Sequence, residues 1–192
     1  SLDLSYNQIG DEGAKALAKA FTNNTTLTGL SLSSSDIGYE GAKALAKAFT
    51  NNTTLTSLDL CRNQIGDEGG ITILNLIAAS TTSYNRSLKN VTTGVEWVDR
   101  IIYVILNNKQ SLDLSSNNIG VSGAIAIAKA FTNNTTLTNL DLRDNNIGNE
   151  GAIEIATAFT NNITLTHLSL GYNQIGEPGR ATLERIKSSK LQ

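Results

Sequence analysis

The chain is poor in most of the side chains that carry chemistry. Its 192 residues include one cysteine, one histidine, one tryptophan, one proline and no methionine. A single cysteine excludes an internal disulfide and suits a reducing compartment, so a cytoplasmic setting is expected. One cysteine and one histidine cannot build a Cys/His zinc site. No G-x-x-x-x-G-K-[ST] phosphate loop is present. The formal charge is −2, so no overall basic pull draws the chain to nucleic acid or to a membrane surface. No apolar run approaches the ~18 residues of a membrane span, and no signal-peptide pattern is visible. Neither a cofactor nor a metal is expected. Pro178, the lone proline, fits a chain that is nearly all strand, turn and helix.

What the chain does have is repetition. Leu55 to Ala79 reads LTSLDLCRNQIGDEGGITILNLIAA, with the spacing L-x-x-L-x-L-x-x-N-x-I across Leu55, Leu58, Leu60, Asn63 and Ile65. At a displacement of 28 residues, Leu4, Leu32, Leu60 and Leu88 share a column, as do Gly10, Gly38, Gly66 and Gly94, and Leu17, Leu45, Ile73 and Ile101. The step drops once to 26, where NNKQSL stands between Asn108 and Leu112 in place of NNTTLTSL. Seven repeats result, starting near residues 1, 27, 55, 83, 109, 137 and 165, within one domain spanning 1–192. Strands are expected near Leu2, Leu30, Leu58, Arg86, Leu112, Leu140 and Leu168. A unit of this size cannot bury its own apolar face and must stack on copies of itself, which predicts a right-handed α/β solenoid.

Within a repeat, the two leucines at i and i+2 of the strand point into the core, because side chains alternate with period 2. Gly66 and its counterparts suit a turn that needs open backbone space. Asp11, Glu12, Asp67, Glu68 and Glu150 sit where carboxylates suit the positive end of a helix. In the first helix Ala14, Leu17, Ala18 and Phe21 share one face at 3.6 spacing, opposite Lys15 and Lys19. The sequence enters mid-repeat at Ser1-Leu2 without a polar cap, so a piece of a longer protein is expected.

This unit resembles the ribonuclease-inhibitor type of leucine-rich repeat, found also in NOD-like receptors, in the activating protein of the Ran GTPase and in effectors of intracellular bacteria. The resemblance implies a horseshoe, with a parallel sheet on the concave side and helices on the convex side. It also implies a turn asparagine that bonds backbone between coils, matched by Asn7, Asn63, Asn117, Asn145 and Asn173. Ser35 and Val91 depart from it. If the parent protein were such an effector, its setting would be the host cytoplasm.

The fourth repeat, residues 81–110, is the irregular one. Strict 28-residue spacing puts Arg86 in a core leucine slot, Ser83 in another and Val91 in the asparagine slot. Trp97 takes a glycine slot and Tyr103 a surface lysine slot. A guanidinium should not sit unpaired in an apolar core, so Arg86 turns out, distorts the strand or finds a carboxylate such as Asp59 or Asp113. Two readings stand. Tyr84, Arg86, Trp97 and Tyr103 form a patch for a partner or a twin subunit, since aromatics and arginine are what interface anchors use. Alternatively, one copy has drifted and its bulky residues fill the hole left by lost leucines.

The outward strand positions give the candidate binding face. One column runs Asp3, Ser31, Asp59, a position near Ser87, Asp113, Asp141 and Ser169. Flanking columns hold Ser57, Asn139 and His167 on one side and Cys61, Arg143 and Gly171 on the other. The turn edge adds Tyr6, Arg62, Asp144 and Tyr172. Strands lie ~4.8 Å apart, so the aspartates make a negative stripe suited to a basic protein or peptide. The same residues are also what copying a consensus for solubility would leave. His167 beside Asp141 reads as a surface pair. Cys61 and His167 fall four strands apart, roughly 19 Å at sheet spacing, too far for a nucleophile–base pair.

The expectation is therefore a non-enzymatic scaffold binding a protein partner of unknown identity on its sheet face. The alternatives are a regulator of a small GTPase, by resemblance alone, and a module that self-associates through residues 81–110.

Overall fold

The computed structural model describes residues 1–81 and 88–190, with side chains described for 1–78 and 88–185. Tyr84, Arg86, Ser83 and the position near Ser87 lie outside the described residues. The chain forms two compact bodies, Ser1–Ile102 and Tyr103–Gln192, and the division falls within a helix. In the first, β1 (Leu2–Asp3), β2 (Gly29–Ser31), β3 (Ser57–Asp59) and β4 (Asn90–Thr92) alternate with α1 (Gly10–Phe21), α2 (Tyr39–Phe49), α3 (Gly66–Thr81) and α4 (Glu96–Leu106). In the second, β5 (Ser111–Asp113), β6 (Asn139–Asp141) and β7 (His167–Ser169) alternate with α5 (Val121–Phe131), α6 (Gly148–Phe159) and α7 (Glu177–Lys190). Each body has one parallel sheet in chain order, β1-β2-β3-β4 and β5-β6-β7. This is an α/β solenoid built from leucine-spaced coils.

The register follows the period. Leu30 lies opposite Leu58, and Leu112 and Leu140 lie opposite Leu140 and Leu168 in turn. The two inward leucines of each inner coil are sealed: Leu30, Leu32, Leu58 and Leu60 are buried, as are Leu112, Leu114, Leu140 and Leu142. Helix packing follows the expected face. Ala14, Ala18 and Phe21 are buried, and the Phe21 ring stacks on Phe49 with centroids 6.2 Å apart. Glycine lets adjacent helices approach closely: a Cβ on Gly151 would come within 2.7 Å of the Ala124 methyl. Gly66 opens its helix at φ +62, a left-handed conformation that favours glycine.

Asparagine stitches coils three, six and seven to the coil before, through Asn63, Asn145 and Asn173, whereas the Asn7 and Asn117 amides donate only within their own turns. Asn63 Nδ2 donates to Leu32, Leu60 and Cys61 carbonyls, and its Oδ1 accepts the N–H groups of Ser35 and Ile37 at 3.0 Å each. Asn145 repeats this with Leu114, Leu142, Arg143, Asn117 and Ile119, and is itself buried. A second ladder, not anticipated from the sequence, runs through the NNTT loops. Asn52 Oδ1 accepts from Thr54 and Leu55 N–H while its Nδ2 donates to Asn24 carbonyl, and Asn162 does the same toward Asn134. At Ser35 the hydroxyl donates to Leu4 carbonyl at 3.2 Å, so serine keeps one of the asparagine's inter-coil bonds.

The fourth strand is a correction to the sequence reading. It is not centred on Arg86. β4 pairs Val91 with Leu58 and Thr92 with Asp59, a displacement of 33 rather than 28. Val91 therefore fills a core leucine position, not the asparagine slot, and Leu88 answers to Leu55. Both are buried. The helix keeps the 28-residue phase, with Ile101, Ile102 and Ile105 buried like Ile73, Leu74 and Ile77. The strand has moved toward its helix, and the connecting turn is shorter.

That short turn has no room for the asparagine and is closed from the helix. Asp99 Oδ1 accepts from Thr93 N–H at 2.7 Å and Thr93 hydroxyl at 2.8 Å, and its Oδ2 accepts from Gly94 N–H. Thr93 is buried and its oxygen accepts from Val95 N–H, so every polar atom drawn inward has a partner.

Candidate functional site

The outward column is fixed by local chemistry. In every aspartate coil the carboxylate accepts the N–H two residues on: Asp3 from Ser5, Asp59 from Cys61, Asp113 from Ser115 and Asp141 from Arg143, all at 2.9–3.0 Å. In these coils and in the two serine coils alike, the residue three past the column position is left-handed. Tyr6, Ser34 and Arg62 in the first body, and Ser116, Asp144 and Tyr172 in the second, all have φ between 53 and 59. Non-glycine residues adopt this region at a cost of roughly 1–2 kcal/mol, so the rim side chains are set by a repeated backbone constraint.

In the first body the column is knit together. Ser5 and Ser31 hydroxyls lie 2.7 Å apart, and Asp59 accepts from Thr92 hydroxyl at 3.0 Å. Ser5's hydroxyl and N–H hold the Asp3 carboxyl below its ordinary range. Arg62 Nη1 donates to Tyr6 Oη at 3.3 Å, over the small Ser34 between them. Cys61 is half-buried, and burial pushes its thiol up, away from the thiolate a nucleophile needs.

In the second body Arg143 folds back on Asp141, with Nε donating to both carboxylate oxygens at 3.0 Å and Nη2 to Oδ2 at 2.5 Å. This holds the Asp141 carboxyl below its usual value. The negative stripe is thus weaker than the sequence column suggests, because one of its carboxylates carries its own counter-ion. His167 does not pair with Asp141. It stands opposite Asn139 in register, and Thr166 Oγ1 lies 2.9 Å from its Nδ1.

Beyond the column, the rim of the second body bears a groove of about 380 Å³ floored by Asn145 and bounded by Ser116, Asn118, Asp144, Asn146, Tyr172 and Gln174. Ser116 Oγ donates to Asp144 Oδ2 at 2.9 Å, Gln174 Nε2 donates to Asn146 Oδ1 at 2.9 Å, and Asn146 Nδ2 donates to Asn118 Oδ1. Sequence reasoning named Asp144 and Tyr172 but missed Ser116 and the amides. The signal was present, because Asn118, Asn146 and Gln174 recur at 28 residues.

The proposed patch of the fourth repeat does not hold Trp97 at a surface. Its side chain is only 5% exposed and its indole N–H donates to Asp67 Oδ1 at 3.2 Å. It plays the part that Gly41 N–H plays toward Asp11 at 2.9 Å: a donor from one coil to the carboxylate that opens the helix of the coil before. Tyr103 is 56% exposed, with Lys109 Nζ 5.7 Å from its ring centre. Among the described residues no group of His, Cys, Asp and Glu could hold a metal ion, and no helix is long and apolar enough to cross a membrane.

The leucine rich repeat signature matches residues 1–18, 23–46, 51–74, 110–128, 133–156 and 161–183. The chain belongs to the leucine-rich repeat family. The signature passes over the irregular coil. No curated protein matches the chain. Among solved structures, the chain is similar to actin-binding site 2 of leiomodin-1, at 21% identity over 97% of this chain and 78% of that one, with a TM-score of 0.32. It is also similar to an internalin of Listeria monocytogenes, at 18% identity over 90% of this chain and 68% of that one, with a TM-score of 0.27.

Proposed function

We propose that the protein is a non-enzymatic scaffold that binds a protein partner through the outward strand and turn positions of its coils. The observation that carries this is the repeated fixation of those positions. Each aspartate is held by a backbone N–H, and each rim residue sits at a left-handed turn, so the surface loses little conformational freedom on docking. Side chains of this kind offer carboxylates, hydroxyls and a few exposed tyrosines, notably Tyr6 and Tyr172. They suit a partner whose facing surface is basic.

The test replaces Asp59, Asp113 and Asp141 together by asparagine, which keeps the bond to the turn N–H while removing the charge. Partners captured by the wild-type chain at low salt should be lost to the variant, and their binding should weaken with salt. Capture with unchanged strength and salt dependence would rule out the charged column. Binding of a small ligand with no protein captured would rule out the scaffold itself.

A further inference from the structure

We propose that the rim groove of the second body receives the guanidinium of an arginine side chain carried by the protein partner. The inference rests on the scaffold reading and gives it a specific anchor. The only formal charge lining the groove is the Asp144 carboxylate. One of its oxygens accepts from Ser116, and the other is the natural seat for a cation. The remaining hydrogen bonds direct donors along the ladder: Ser116 toward Asp144, Gln174 toward Asn146 and Asn146 toward Asn118. Oxygens remain to face an incoming group: the second Asp144 oxygen, the Ser116 hydroxyl oxygen and Gln174 Oε1. Acceptors on neighbouring coils stand about one strand spacing apart, ~4.8 Å.

A ligand matched to several acceptors and one negative charge must bring several donors and one positive charge. A guanidinium carries five N–H donors in a planar fork, whereas an ammonium is a compact point charge. Tyr172 supplies the remaining element. Its side chain is 88% exposed, it borders the groove, and a guanidinium stacks on an aromatic face. The site is also built before the ligand arrives, because Asp144 and Tyr172 both occupy left-handed turns and the amides are tied coil to coil.

The full chain, labelled with 15N, is titrated with the blocked tripeptide Gly-Arg-Gly and with its citrulline and lysine counterparts. Saturable shifts of the Asn118, Asn146 and Gln174 side-chain amide signals are expected with arginine, with little movement for citrulline. Lysine should bind more weakly than arginine. Asp144→Asn, which tolerates the left-handed turn, should weaken the arginine response about tenfold or more, as loss of a charge-assisted pair requires. Tyr172→Asn should weaken it by less. Equal responses to arginine and citrulline, shifts confined to the β5–β6 face, or an unchanged response in Asp144→Asn would overturn the proposal. Shifts on the β5–β6 face would report the Asp113 and Asp141 column instead, and the triple asparagine variant tests that column separately, so this groove can fail while the scaffold stands, and the reverse outcome is equally visible.

Discussion

Coils three and four are neighbours in the first body and close the same strand-to-helix turn with different chemistry. In coil three the turn is long, and Asn63 sits inside it as both donor and acceptor, closing its own turn with two hydrogen bonds and tying coil three to coil two with three more. In coil four the turn is short, and Asp99 reaches back from the helix to accept three bonds within its own coil. An amide can both give and take, so it can bridge two coils. A carboxylate only takes, so it can close a turn but cannot supply the carbonyl partners of a neighbour. Coil four keeps its place in the stack by other means: the strand bond from Leu60 N–H to Thr92 carbonyl, and the Trp97 indole on Asp67.

The comparison predicts unequal damage. Asn63→Ala leaves carbonyls and N–H groups of two coils without partners in a half-buried turn and should cost about 3–4 kcal/mol. Asp99→Ala strips acceptors from one coil only and should cost about 2 kcal/mol. Urea midpoints read both. If the two were equal, or Asp99→Ala were the more damaging, the division between bridging and local closure would not hold.

Much of the regular array was legible beforehand. The period fixed the leucine columns, and the predicted strands at Leu30, Leu58, Leu112, Leu140 and Leu168 all lie in the sheets. Coil four misled because two changes cancel. The strand starts five residues late and the turn is correspondingly shorter, so the helix column from Ile73 to Ile101 stays in phase and conceals the shift. The clue was Leu88-x-x-Val91, the same spacing as Leu55-x-x-Leu58, which fixed-period columns cannot see. The aspartate column was equally plain, but its role was not. A letter shows a carboxylate, whereas the N–H two residues on that holds it emerges only from the turn geometry. The inter-coil ties made by Asn52 and Asn162 in the NNTT-type loops emerge only from the folded loop for the same reason.

A smaller effect probes the intermediate case, coil two, where Ser35 keeps one inter-coil bond but offers no amide oxygen. Ser35→Asn should let the new Oδ1 accept from Asn7 and Ile9 N–H, as Asn63 accepts from Ser35 and Ile37. Its amide group would retain the bond to Leu4 carbonyl. The expected gain is about 1 kcal/mol, read as a rise in urea midpoint. A fall would mean that coil two has a turn too tight for the amide, closer to coil four than to coil three.

The smallest effect concerns the counter-ion that the second body places on its column. Arg143 lowers the Asp141 carboxyl, chiefly by hydrogen bonding. A carboxyl whose value is lower folded than unfolded contributes stability that is complete above its unfolded value, ~3.9, and is lost as pH falls through the folded value. The sign is therefore loss on acidification below about pH 4. The Arg143 side chain is 58% exposed and that of Asp141 23%, so solvent screens the pair and the contribution is below about 1 kcal/mol. Arg143→Gln should flatten the fall in urea midpoint between pH 5 and pH 2.5, leaving the backbone bond to Asp141 in place. The same substitution uncovers the Asp141 charge at neutral pH, so a basic partner should bind the variant more tightly even as its folding loses part of its acid sensitivity. Stability and binding moving in opposite directions would separate a carboxylate engaged by its own chain from one held open for a partner. Parallel acid curves for wild type and variant would show that the pair does nothing for folding.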